Sequence, residues 1–98
     1  MNEIKNINDL GYAVFVIQQL ELIAKKVHRI DENTCNGDFL SEHSEKRAET
    51  RLKNLLKTAS ELAERLGLAI YHQGDPRGCS LYLIEKGQED NYNRGVAL

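Results

Sequence analysis

Leu68-Ala69-Ile70-Tyr71-His72-Gln73-Gly74-Asp75-Pro76-Arg77-Gly78-Cys79-Ser80-Leu81-Tyr82-Leu83-Ile84-Glu85 is the stretch at which the apolar period of this chain changes from 3.6 to 2. Both ends are rich in β-formers, and between them stand two glycines, the only proline, an acid and an arginine. That pattern predicts a β-hairpin with a loop over Gln73 to Gly78, longer than the two residues a tight hairpin needs. Loops longer than their turn requires are where binding groups tend to be placed. Asp-Pro-x-Gly is equally an ordinary turn sequence, in which Arg77 would pair with Asp75 or an acidic helix end.

Upstream, two helices are predicted. From about Leu10 to Thr34, Ala13, Val16, Ile17, Leu20, Ile23, Ala24, Val27 and Ile30 recur at helical spacing, with Asn8 or Asp9 as cap. Such a helix is roughly 36 Å long. Tyr12, Phe15 and Leu22 widen its apolar face, either to cover the sheet or to meet another copy of the chain. Asn36-Gly37 supplies the left-handed backbone that ends the helix. Ser41 or Ser44 can cap a second helix over 42–66, with Phe39 or Leu40 stapling its start. Its apolar stripe is Ala48, Leu52, Leu55, Ala59, Leu62 and Leu66. The pairs Glu42/Lys46, Glu49/Lys53 and Glu61/Arg65 mark a solvated face, and Gly67 ends the helix.

Downstream, Lys86 to Asp90 is a polar connection and Tyr92 to Leu98 can add a short third strand. The expected fold is therefore α+β: a long antiparallel two-helix hairpin followed by a two- or three-stranded antiparallel β-hairpin or sheet. Residues 1–98 form a single domain, with 1–9 as a flexible N-terminus and 68–98 as the β region. If consecutive elements run antiparallel, the Cys35-Asn36-Gly37 bend and the Gln73–Gly78 loop fall at the same end of the molecule.

Composition narrows the function classes. Thirteen Lys+Arg against 15 Asp+Glu give a formal net charge of −2, which argues against nucleic acid as a partner held through many phosphates. The longest apolar run, Tyr12 to Ile17, is far short of a membrane span, and the N-terminal residues lack the basic-then-apolar block of a secretory signal. The protein is expected in the cytoplasm, with Cys35 and Cys79 as thiols.

The candidate ligand site is built on the loop. Gly74 and Gly78 leave backbone N–H groups open to an anion, Arg77 offers a planar fork of donors, and Tyr71, Tyr82 and Tyr92 offer stacking faces. His72, Gln73, Gly74, Asp75, Arg77, Gly78, Cys35, Asn36, Tyr92 and Arg94 are the predicted binding residues, for a small anionic, nucleotide-like molecule. In a simple hairpin His72 and Cys79 would face each other at roughly 4.5–5.5 Å between Cβ atoms, the minimal arrangement for a Cys–His nucleophile. No third orienting group is evident beyond Asp75, so no catalytic residue is assigned and a non-enzymatic role is expected. His28, Cys35, His43, His72 and Cys79 are zinc-ligand types, but they lack the close pairs of structural zinc sites. No metal or cofactor is expected.

The block from His28-Arg29 to Glu32, Cys35-Asn36-Gly37, Tyr71-His72-Gln73-Gly74-Asp75-Pro76-Arg77-Gly78, Leu81-Tyr82-Leu83 and Asn91-Tyr92-Asn93-Arg94-Gly95-Val96-Ala97 resembles a family of small proteins of tailed bacteriophages and prophages. The resemblance covers most of the chain after residue 16 and carries no assigned activity. It implies an origin in which small accessory proteins that blunt host defences are common. Two partner classes follow: a nucleotide-like defence signal, sequestered by the loop, or a host protein complex, inhibited in the manner of an anti-CRISPR protein. Self-association through the first helix is expected in either case.

Overall fold

The computed structural model describes residues 7–37, 39, 41–74 and 78–98. Helix α1 spans Ile7–Asn36 and α2 spans Glu42–Arg65; strands β1 (Leu68–His72), β2 (Leu81–Glu85) and β3 (Gly95–Ala97) form one antiparallel sheet in that order. A 3₁₀ turn, Tyr92–Arg94, precedes β3. The fold is α+β, a helical hairpin followed by a three-stranded antiparallel sheet.

Local chemistry explains each boundary. α1 already begins at Ile7, so Asn8 and Asp9 lie inside its first turn. Gly37 ends α1 with φ of 68°, a conformation glycine adopts without steric penalty. Ser41 caps α2 by accepting the Ser44 N–H at 3.2 Å from an extended backbone. Gly67, at φ 71°, closes α2 as its N–H reaches the Glu64 carbonyl at 2.9 Å.

The sheet packs one face on the helices. In the β1–β2 register, His72 pairs with Leu81, Ile70 with Leu83 and Leu68 with Glu85. Alternation puts His72, Ile70, Leu81 and Leu83 on the helix side. The core joins Val16, Leu20, Ile23, Ala24 and Val27 of α1 to Ala59 and Ala63 of α2 and to Leu81 and Leu83. On the other sheet face Ile84 is only 1 % exposed, beside Gly95 in the register.

The predicted apolar stripe of α1 is buried except for the half-buried Ile17, but the widened face is not covered by the sheet. Phe15, Leu22, Leu10, Tyr12 and Val14 all stay about half exposed in the single chain. The reason is dimensional. The molecule measures 50 × 24 × 18 Å, and strands of three to five residues cannot span a 30-residue helix. Near the open end of the hairpin, Arg65 Nη1 donates to the Tyr12 hydroxyl at 3.5 Å, so the expected Glu61/Arg65 pairing gives way to a contact with α1. The Lys86–Glu64 ion pair ties the β2 end to α2.

Candidate functional site

The site is the base of the β1–β2 loop, where two polar clamps fasten the strand ends to α1. His28, Asp31 and Glu32 lie within four residues, so α1 presents them around one turn. Asp31 occupies the core stripe, four residues beyond Val27, and its side chain is 7 % exposed. A carboxylate there requires a partner, and His72 provides it: Nε2 donates to Asp31 Oδ2 at 2.8 Å. An ionised carboxylate only accepts, so the proton of His72 sits on Nε2.

The second clamp joins His28 Nδ1 to Ser80 Oγ at 3.1 Å, while His28 Nε2 reaches Glu32 Oε2 at 3.1 Å. With an N–H on Nε2 directed at Glu32, Nδ1 is left to accept a hydrogen bond from the Ser80 hydroxyl. Serine, imidazole and carboxylate therefore stand in line. Ser80 is only 2 % exposed.

Between the clamps the Gln73 N–H donates to the Ser80 carbonyl at 2.8 Å, carrying the ladder one step beyond β1. Gly74 turns the chain away with φ of 77°. Asp75, Pro76 and Arg77 lie outside the described residues. Gly78 is exposed and Cys79 half-buried. The expectation that His72 and Cys79 face each other is corrected, because the register sets His72 opposite Leu81. The Cys79 thiol instead donates to the Leu81 carbonyl at 2.9 Å and lies 3.5 Å from that of Leu98.

Beside the clamps lies a cleft of about 350 Å³ between α1 and the end of the loop. Lys25 and His28 line it from α1, Gly78, Cys79 and Ser80 from the loop, and Leu98 from the end of the sheet. Its volume is within the range of small-molecule sites.

The other predicted residues divide into separate places. Cys35 and Asn36 are exposed at the end of α1, about 6 Å along the helix beyond Asp31 for Cys35. They share the loop's end of the molecule, yet no hydrogen bond joins them to its described residues. Tyr92 and Arg94 lie on the 3₁₀ turn. Tyr92 packs with Tyr71 and Tyr82 on the sheet face away from the helices, with ring centroids 5.3–6.5 Å apart. The thickness of the sheet therefore separates the tyrosines from the clamps.

Asp31, Ser80 and Lys25 are the groups the sequence reading missed. The signal for Asp31 was present, an acid on an otherwise apolar stripe. Among the described residues no group of three or more His, Cys, Asp or Glu side chains converges as a metal site would require. Elsewhere, the backbone N–H groups of Gly87 and Glu89 hold the exposed Glu89 carboxyl below its ordinary range. No helix among the described residues is long and apolar enough to cross a membrane. Set against known proteins, no family model, no curated protein and no solved structure matches this chain.

Proposed function

We propose that this is a small phage- or prophage-encoded accessory protein, non-catalytic, that binds an anionic, nucleotide-like ligand at the 72–79 loop in the host-cell cytoplasm. Sequestration of a host defence signal is the use we infer for it. The observation that carries the reading is the 350 Å³ cleft at the loop's base, where Lys25 and His28 face the exposed Gly78. Two clamps hold that base in one geometry, and a preorganised site loses less entropy on binding. Arg77 supplies the charge partner in this reading, and Tyr92 and Arg94 belong to a separate face.

Thermal unfolding against a panel of nucleotides tests it. A ligand at 100 times its Kd stabilises the folded state by about 2.7 kcal/mol through mass action. Arg77→Ala and Lys25→Ala are each expected to abolish the shift while leaving the unliganded midpoint in place. Absence of stabilisation by any nucleotide refutes the reading.

A second reading is an anti-defence inhibitor or adaptor acting on a host protein. It is favoured by the exposed acids of α2, Glu42, Glu45 and Glu49 in its N-terminal half and Glu61 and Glu64 in its C-terminal half. Self-association through the uncovered α1 face is compatible with both.

A further inference from the structure

A second concavity, lined by none of the residues of the loop cleft, lies where α2 meets the C-terminal part of α1. It encloses about 830 Å³. Its floor is apolar: Ile30 of α1 is buried, and Phe39 and Leu55 are half-buried. Its rim carries the exposed Lys46, Arg47 and Arg51, and no described residue lining it is acidic. The acids of this half of α2, Glu42, Glu45 and Glu49, follow one another at three- and four-residue spacing on the other flank. Among the described residues Lys46, Arg47 and Arg51 have no carboxylate partner; Glu32, Asp31 and Glu64 are met by His28, His72 and Lys86.

We propose that this groove docks an acidic amphipathic helix of a partner protein. Three features select that chemistry. The groove runs from His43 to Thr58, four turns of α2 or roughly 22 Å, which suits an elongated occupant rather than a compact anion. An apolar floor between two antiparallel helices is the seat of the third helix in a bundle, filled by residues at i, i+3, i+4 and i+7 of the incoming segment. Arg47 and Arg51 stand one turn apart, about 6 Å along the axis, the spacing of carboxylates on successive turns of a helix lying alongside. A nucleic acid would match the arginines but leave the apolar floor uncovered, and the chain's net charge of −2 opposes it.

The test uses the full chain and a fluorescein-labelled peptide of about 18 residues, long enough to span the groove, with leucines at the bundle positions and glutamates flanking them. Polarisation titration is expected to saturate. Amide shift mapping should confine the perturbed resonances to the C-terminal third of α1 and to 43–58 of α2. Arg47→Glu with Arg51→Glu should weaken binding at least tenfold, about 1.4 kcal/mol or more. These side chains are exposed, so the fold should tolerate the change; if circular dichroism shows otherwise, Arg47→Gln with Arg51→Gln takes its place. A peptide with lysine for each glutamate should not bind, and Arg77→Ala should bind as the wild type does, which separates this surface from the loop. The proposal is overturned by the absence of saturable binding, by affinity that survives reversal of both arginines, by shifts outside the groove, or by a single-stranded oligodeoxynucleotide that competes as well as the acidic peptide.

Discussion

His72→Ala is the perturbation on which the description of the loop base stands or falls. It removes the group that donates to Asp31 at 2.8 Å, while the Asp31 side chain stays 7 % exposed in a helix stripe otherwise made of Ala24, Val27 and Ile30. Removing one partner of a fully buried ion pair costs roughly 3–5 kcal/mol, because the remaining charge keeps its desolvation penalty. His72 is itself 25 % exposed, so its removal admits water toward the carboxylate and the expected loss falls to about 2–3 kcal/mol. In urea denaturation followed by circular dichroism, with a slope of about 1.5 kcal/mol per molar, the midpoint should drop by roughly 1.3–2 M. The thermal midpoint should fall by about 10–20 °C.

Asp31→Ala is expected to cost less than His72→Ala, since it leaves without a partner an imidazole that is 25 % exposed rather than a carboxyl that is 7 % exposed. The double variant should recover at least about 1 kcal/mol relative to the sum of the singles, the signature of two groups acting on each other. Replacing both by leucine should be neutral or stabilising, as for other buried pairs exchanged for apolar groups. A His72→Ala midpoint within about 0.3 M of wild type, or strictly additive singles, would falsify the account of the clamp.

Two further outcomes are expected. Gly95→Ala would place a Cβ against Ile84 Cγ2 and within 2.7 Å of the Leu83 carbonyl oxygen, so β3 must move off β2 at a cost of about 1–3 kcal/mol. A thermal midpoint equal to wild type would show that β3 is not seated as described. Across a two-fold pair, the half-exposed Leu10, Tyr12, Val14, Phe15 and Leu22 would bury roughly 800–1,000 Å², in the range of weak, transient interfaces. Sedimentation at about 100 µM should therefore reveal a dimer of micromolar affinity that Phe15→Glu converts to monomer; a wild-type chain that sediments as a monomer there removes the interface.

The order and type of the elements were legible because each rests on local chemistry. The period change at Gly67, the left-handed glycines at 37 and 67, and the Ser41 cap act within a few residues of themselves. The site was only half legible. His72 could be placed on the loop's flank, but its partner is 41 residues away and Ser80 finds His28 across 52. The expected His72–Cys79 pairing failed through register: His72 falls opposite Leu81, two residues beyond Cys79, which precedes β2.

What the sequence determined by itself was the period of each segment, hence a helical hairpin and an antiparallel sheet, since propensity, capping and turn chemistry are short-ranged. Only the tertiary structure decided which polar groups meet. The rotation of α1 about its axis carries Asp31 toward the sheet and leaves Phe15 and Leu22 outside, and the packing of α2 along α1 leaves Arg47 and Arg51 together beside an apolar floor. Those relations depend on how long elements are aligned against one another, which no short stretch encodes.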